Sequence, residues 1–112
     1  MFKKNERLSR PEFTTYFTKG TRHHFTHCTI ITSPLATRKV SVVVGKKVAK
    51  SAVRRNSLKR RIYAQLRIVS DNIHFTGALI IIAKPSYNAL SRKSGNEALQ
   101  LAVTTVYKKL ST

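Results

Sequence analysis

The stretch from Ser51 to Val69 restricts the possible folds more than any other part of the chain. Ser51 is a suitable N-cap, and the periodicity after it predicts a helix over residues 52–69. One stripe of that helix carries four apolar side chains: Leu58, Ile62, Leu66 and Val69. The opposite side and its flanks carry Asn56, Arg60, Tyr63, Arg67, Lys59, Arg54 and Arg61. Such a helix must bury one stripe against other elements and leave a cationic surface in solvent.

This predicted cationic surface has no acidic residues nearby. The chain contains 22 Lys and Arg but only 4 Asp and Glu, and residues 13–70 contain no acid. Like charges four residues apart on a helix repel each other, and an anionic partner would relieve that repulsion. Nucleic-acid phosphate is the usual partner of a strongly basic domain, and the fork of Arg suits it well. The predicted contact residues are Lys46, Lys47, Lys50, Arg54, Arg55, Asn56, Lys59, Arg60 and Arg67.

Other classes of protein fit the sequence poorly. No stretch approaches the roughly 20 apolar residues that span a bilayer, and the longest apolar run covers residues 78–83. The N-terminal residues have no apolar stretch after Lys3 and Lys4, so we expect no secretory signal. Cys28 is the only cysteine, which excludes an internal disulfide and a cysteine-cluster zinc site. We expect a cytoplasmic protein without membrane contact.

We predict neither catalytic residues nor a bound metal on the polypeptide. The four acids are scattered along the chain, whereas a two-metal nuclease site needs clustered acids. His23, His24 and His27 lie close in sequence, but on one strand His24 would point away from the other two. We expect surface or RNA-contacting histidines here, and structural or incidental roles for Cys28 and His74.

Capping signals predict the other helices. Ser9 and Glu12 form a capping-box pattern that begins a helix, which ends near Lys19 before Gly20. A second capping-box pattern at Ser94 to Glu97 precedes the last helix. The apolar stripe of that last helix consists of Leu99, Ala102, Val103, Val106, Tyr107 and Leu110.

Three segments predict strands: residues 23–33, 39–44 and 78–83. The spacing of the first two predicts an antiparallel hairpin, and the continuous hydrophobicity of the third predicts a central position. The order is helix, strand, strand, helix, strand, helix, which predicts an α+β layer of helices on a small sheet. We expect a single RNA-binding domain over residues 1–112.

An aromatic face on the first helix has two interpretations. Phe13, Tyr16 and Phe17 lie three and four residues apart and share one side of the helix. They pack into the core, or they form a platform on which unpaired bases stack. Periodicity alone favours the core.

The order of these features is similar to that of a known family. A valine-rich strand is followed by Lys46-Lys47, and then by Arg55-Asn56 and Lys59-Arg60 on the basic helix. Further matches are Arg7-Leu8, Phe13, Phe17, Gly20 and the segment 78–85. On these residues the chain resembles, over nearly its whole length, the protein subunit of bacterial ribonuclease P.

The resemblance implies both a fold and a function. The implied fold is a single-domain α/β sandwich, ribosomal protein S5 domain 2-like, with about four strands in a mixed sheet and three helices. It includes a left-handed βαβ crossover, against the general preference for right-handed ones. The implied function is that of a subunit of the endoribonuclease ribonuclease P. In that family the RNA component catalyses phosphodiester hydrolysis with Mg²⁺, and one protein binds that RNA and the 5′ leader of precursor tRNA.

The resemblance also assigns roles by position. It implies RNA contacts at Lys46, Lys47, Arg55, Asn56, Lys59 and Arg60. The candidates for leader contact are Phe13, Phe17 and Tyr63. Ser57 and Tyr63 depart from the family, which often has basic residues at their positions. Cys28 and Ile31 stand where an aromatic residue usually lines the leader cleft, and Phe25 lies nearby as a substitute.

Two other functions compete with this one. A ribosomal or other structural RNA-binding protein would have the same composition and no part in cleavage, so only the ordered motif argues against it. A DNA-binding helix-turn-helix protein is disfavoured because the basic helix follows a strand and not another helix.

Overall fold

The computed structural model describes residues 2–110, which form three α-helices and one four-stranded sheet. The helices are α1 (Arg10–Lys19), α2 (Ala52–Asn72) and α3 (Arg92–Leu110). The strands are β1 (Thr21–His24), β2 (Cys28–Ser33), β3 (Arg38–Val43) and β4 (Gly77–Ala83). Short 3₁₀ turns lie at Lys4–Glu6 and Pro85–Ala89. The predicted α+β class, three helices and mixed sheet are confirmed.

The sheet has the strand order β1-β2-β4-β3. β2 is antiparallel to both β1 and β4, and it places Ile30 opposite Ile81. β3 is parallel to β4 and places Val42 opposite the same Ile81. The crossover between these parallel strands contains α2, and β4 holds the central position that its hydrophobicity predicted. The left-handed sense of the crossover stays a prediction.

Two of the strand predictions are wrong. The segment 23–33 is not one strand, because the chain turns at residues 25–27, where the Phe25 N–H donates to the Cys28 carbonyl over 2.9 Å. The predicted hairpin between this segment and 39–44 does not form, because β4 lies between β2 and β3. β4 offers an apolar partner on both edges, so cross-strand packing favours this non-local pairing over the local one.

The two faces of the sheet are covered by different helices. α2 and α3 pack on the face that carries Ile30 and Leu79, and the predicted stripe of α2 is buried there, with Leu58, Ile62 and Leu66 fully inaccessible. Burying each such side chain contributes about 1.5–3 kcal/mol. That exceeds the repulsion between neighbouring charges on α2, which is a few tenths of a kcal/mol per pair. The core therefore holds α2 in place despite its charge.

α1 covers part of the opposite face, against β2 and β4. The side chains that alternate onto that face, Ala78, Ile31 and Ile80, are buried. Gly20 ends α1 as predicted, although its backbone is extended and not left-handed. A Cβ at this position would lie 2.5 Å from Cγ2 of Ile31, so a glycine is required by the close approach of α1 to β2.

The helix ends test the capping predictions. Ser9 and Glu12 form the predicted capping box, and Ser51 Oγ accepts from the backbone N–H of Arg54 over 3.3 Å. α3 begins one turn earlier than predicted. Its N-cap hydroxyl is that of Ser91, which accepts from the Ser94 N–H over 3.1 Å. Two serines three residues apart offer the same cap, and the earlier one adds a turn to the helix.

α2 runs three residues beyond the predicted end and stops in a Schellman motif. The Phe75 N–H donates to the Ser70 carbonyl over 3.0 Å, and the His74 N–H donates to the Asp71 carbonyl over 3.3 Å. His74 has φ of 53°, the left-handed conformation that this motif needs. Of the two roles expected for His74, structural or incidental, its backbone conformation fits the structural one.

The stripe of α3 is buried except at its end. Leu99, Ala102, Val103 and Val106 belong to the core, whereas Leu110 is 54% exposed, contrary to the prediction. Within residues 2–110, no helix is both long and apolar enough to cross a membrane.

Candidate nucleic-acid interface

The nine residues predicted to bind RNA lie on α2 and on the turn that precedes it. We call them together the cationic surface: Lys46, Lys47, Lys50, Arg54, Arg55, Asn56, Lys59, Arg60 and Arg67. Five of them are exposed: Lys46, Lys47, Lys50, Asn56 and Arg60. Within residues 2–110, only Arg67 of this surface pairs with a carboxylate, its Nε lying 3.7 Å from Oδ2 of Asp71. The surface therefore faces solvent with almost uncompensated positive charge.

The turn at residues 45–50 is anchored by two buried side chains and a backbone hydrogen bond. Val48 and Ala49 are buried, and the Val48 N–H donates to the Gly45 carbonyl over 3.1 Å. These anchors hold Lys46 and Lys47 outward at the start of the cationic surface.

Two arginines of the cationic surface also fix the turn to α2. Nη1 of Arg55 donates to the carbonyls of Ala49 and Lys50, over 3.0 and 2.8 Å. Nε of Arg54 donates to Oδ1 of Asn88 over 2.8 Å, and the amide of Asn88 donates to the Val48 carbonyl over 3.1 Å. Asn88 was not predicted as part of the site, because one amide in a polar segment carries no distinctive sequence signal.

Tyr63 is half-buried, although the helical wheel placed it on the exposed side. Its hydroxyl accepts from the Val42 N–H over 3.2 Å, and its ring meets that of Phe2 edge-on, with centroids 6.1 Å apart. The N-terminal segment, which the wheel does not include, packs against this ring. Beside it lies a cavity of about 380 Å³ that is also lined by Lys4 and Arg7.

Phe13 and Phe17 form a stacked pair on α1, with ring centroids 5.5 Å apart and planes at 29°. The guanidinium carbon of Arg22 lies 4.6 Å from the centroid of the Phe17 ring. Both rings are half-buried and lie outside the main core cluster. This placement favours the platform interpretation over the core packing that periodicity favoured.

Three of the four acids are engaged by Arg38 and Lys39 of β3, and one of the three, Asp71, also lies near Arg67 of the cationic surface. Arg38 pairs with Glu6, its Nη2 lying 2.6 Å from Oε2, and also with Asp71. Nζ of Lys39 lies 2.7 Å from Oε2 of Glu12. The Lys39 hydrogen bond, helped by those of Ser9, lowers the pKa of Glu12 to about 2. Arg38 likewise holds the pKa of Glu6 below its ordinary value.

The histidines contact hydroxyl groups rather than one another. His23, His24 and His27 hydrogen bond to Thr32, Thr29 and Ser86, over 3.2, 3.3 and 2.8 Å. The predicted shared strand face of His23 and His27 is wrong, because His27 lies in the turn before β2. Burial, with a smaller effect of Lys109, lowers the pKa of His23 and favours its neutral form.

No cluster of metal-binding side chains occurs among residues 2–110, where no three His, Cys, Asp or Glu come together. Cys28 is buried, and this burial raises the pKa of its thiol to about 11. The thiol stays protonated at neutral pH and is a poor nucleophile and metal ligand.

The model of the ribonuclease P family matches residues 2–110. The chain belongs to the ribonuclease P protein family. It is a protein subunit of that endoribonuclease, and its partner is the ribonuclease P RNA. The alternative of a structural RNA-binding protein without a part in cleavage is not favoured. A search of curated proteins finds no match.

Solved structures agree with the fold. A mutant ribonuclease P protein of Staphylococcus aureus aligns with a TM-score of 0.83 at 19% identity, over 93% of this chain and 90% of that one. The ribonuclease P protein of Thermotoga maritima aligns with a TM-score of 0.72 at 22% identity, over 84% of this chain and 91% of that one.

Two of the three residues that the resemblance placed near the leader cleft are buried, and the third, Phe25, is half-buried. Ile31 is buried beneath α1, and Cys28 is buried on the core face of the sheet. Phe25 packs against the core cluster.

Proposed function

We propose that the cationic surface binds the ribonuclease P RNA, and that Phe13 and Phe17 contact the 5′ leader of precursor tRNA. One observation carries the proposal: three of the four acids are engaged at β3, while the exposed positive charges of α2 and its turn lack carboxylate partners within residues 2–110. Phosphate contacts supply most of the affinity of such surfaces.

The leader contact follows from the stacked pair on α1. A single-stranded leader has unpaired bases, and each base that stacks on an aromatic ring contributes about 1–3 kcal/mol. Phe13 and Phe17 offer two half-buried rings, and Arg22 beside Phe17 adds a cation for a neighbouring phosphate. Tyr63 is a weaker candidate because its hydroxyl and ring are partly engaged by Val42 and Phe2.

In this proposal one protein binds one RNA, and Mg²⁺ serves the RNA component. Glu6, Glu12 and Asp71 neutralise cations of the protein itself, which leaves few carboxylates to hold a metal. A cytoplasmic location belongs to the same proposal, and the single, unpaired cysteine supports it.

A reconstitution at low magnesium tests the function. The purified protein is mixed with a bacterial ribonuclease P RNA and precursor tRNA, and removal of the leader is timed with and without protein. We expect faster cleavage with the protein. Equal rates would contradict the proposal.

Substitutions in the stacked pair test the leader contact. Phe17→Ala and Phe13→Ala should each weaken binding of leader-containing precursor by about 5- to 100-fold, the equivalent of losing one stacked base. Mature tRNA, which lacks the leader, should bind unchanged. Phe17→Leu is the matched variant that separates stacking from packing, because it keeps an apolar side chain and removes only the aromatic ring. Equal loss for precursor and mature tRNA would refute the platform.

A further inference from the structure

A groove between α2 and α3 has three cationic side chains and no carboxylate in its lining. Its volume is about 420 Å³. The polar lining consists of Ser57, Arg60, Arg61 and Gln65 from α2, and Arg92 and Asn96 from α3. Arg61, Arg92, Gln65 and Asn96 lie outside the cationic surface, so the groove extends the positive charge around a second side of α2.

Arg61 has two donors in this region without acceptors. Its Nε and Nη2 are inaccessible to solvent and have no hydrogen-bond partner among the residues that the structure describes. These two N–H groups point in parallel from one edge of the guanidinium, the edge that binds two oxygens of an oxyanion. Buried charged donors without acceptors are costly. Arg54 and Arg55 avoid that cost, since Asn88 and backbone carbonyls accept from them.

No carboxylate within residues 2–110 supplies the missing acceptor, and the hydroxyl of Tyr87, which interacts electrostatically with Arg61, is itself buried without a hydrogen-bond partner there. Glu6, Glu12 and Asp71 are engaged by Arg38 and Lys39, and Glu97 of α3 does not line the groove. Arg60 belongs to both the groove and the cationic surface, so an RNA strand on that surface has a continuous path to the groove.

We propose that the α2–α3 groove binds a phosphate of the RNA backbone, with the Nε–Nη2 edge of Arg61 as a bidentate donor and Arg92 as a second cation. The assignment of this phosphate to RNA rests on the proposed function. The binding of an oxyanion by Arg61 and Arg92 does not depend on it.

The first test uses inorganic phosphate and the full chain alone. The ¹⁵N resonance of Arg61 Nε is followed during a phosphate titration, with chloride at matched ionic strength as the control. We expect a saturable shift with phosphate only, and about three- to tenfold weaker binding in Arg92→Gln, which loses one charge-assisted contact. A shift that does not saturate, or that chloride reproduces, would show that water or bulk ions satisfy Arg61.

The second test uses the ribonuclease P RNA. Arg92→Gln is compared with Lys93→Gln, which removes the same charge from the next position of α3 outside the groove. Arg92→Gln should lower the affinity for the RNA about fivefold more than Lys93→Gln does. It should also flatten the slope of log affinity against log salt by the equivalent of about one phosphate contact. Arg61→Lys should lower the affinity with the salt dependence kept, because the charge remains and the parallel donors are lost.

The outcomes separate this inference from the proposed function. If Arg92→Gln equals Lys93→Gln while loss of Lys59, which lies outside the groove, weakens binding, the groove does not bind RNA and the proposed function stands. A saturable phosphate titration with unchanged RNA affinity overturns the RNA assignment in favour of free phosphate. If none of these variants loses affinity for RNA, that result contradicts the proposed function itself.

The folding of the variants is checked separately. Circular dichroism tests whether Arg61→Lys is folded. Arg92 is exposed, so Arg92→Gln should fold.

Discussion

Two groups of basic side chains in this molecule have different partners. At the edge strand β3, Arg38 and Lys39 pair with carboxylates of the N-terminal segment, α1 and the end of α2. On α2, Lys59 and Arg60 have no carboxylate partner within residues 2–110. The basic side chains of both groups carry the same charge. The placement of a few acids therefore distinguishes a cation that stabilises the fold from one that is available to RNA.

The largest effect is expected from removing the unpaired charges. Lys59→Ala combined with Arg60→Ala should lower the affinity for ribonuclease P RNA about 100-fold, since each lost phosphate contact costs about tenfold. The slope of log affinity against log salt should flatten by about 1.5–2. Filter binding over a range of KCl concentrations measures both. Lys93→Ala with Lys108→Ala is the control of equal charge, and an equal loss there would mean that the effect is not local.

The opposite pattern is expected at β3. Arg38→Met should lower the free energy of unfolding by about 1–3 kcal/mol, because Glu6 loses its partner and Asp71 keeps only Arg67. The Arg38 and Glu6 side chains are only 16% and 24% exposed, so solvent screens that pair weakly, whereas the Asp71 side chain is 52% exposed and its pair contributes less. Urea unfolding measures the loss, and the affinity for RNA should change by less than about threefold. A large loss of RNA affinity in a stable variant would show that β3 is part of the binding surface.

Arg55 combines both roles and should give an intermediate result. Arg55→Ala removes the donor to the Ala49 and Lys50 carbonyls as well as a charge of the cationic surface. We expect about 1 kcal/mol of lost stability together with about tenfold weaker RNA binding. Urea unfolding and filter binding on the same preparation separate the two. An unchanged stability would mean that the turn does not need this anchor.

The smallest effect concerns acid pH. The pKa of Glu12 is about 2 in the folded chain and about 4.5 for the unperturbed group, so its ion pair with Lys39 stabilises the fold above pH 4.5. That contribution is lost as the pH falls from 4.5 towards 2. Glu12→Gln should therefore reduce the fall in Tm over this range, whereas Glu97→Gln, on the exposed side of α3, serves as the control. Identical acid profiles for Glu12→Gln and the wild type would contradict the pairing.

The sequence predicted α2 well because local periodicity alone determines which side of a helix is buried. Leu58, Ile62 and Leu66 occupy the core as the wheel predicted, and the Ser9–Glu12 capping box forms as its pattern indicated. Both signals need only the geometry of one helix. The exposed positions of Asn56 and Arg60 follow from the same argument.

Features that depend on distant segments were not predictable from such patterns. The turn at residues 25–27 contains no Gly or Pro, so the composition of the segment gave no reason to divide the strand. The pairing of β2 and β3 with β4 joins parts of the chain that are far apart in sequence. Likewise, the burial of Tyr63 depends on Phe2, and the unpaired donors of Arg61 depend on where α3 packs.

The most direct test of the account is a comparison of cross-links from the two regions. A photo-reactive group is attached to Arg60→Cys on α2 and, separately, to Ala36→Cys in the exposed turn before β3. The buried Cys28, whose thiol has a pKa of about 11, reacts slowly and remains in place. In the complex with ribonuclease P RNA, we expect strong cross-links from position 60 and few from position 36. Strong cross-links from position 36 with none from position 60 would contradict it.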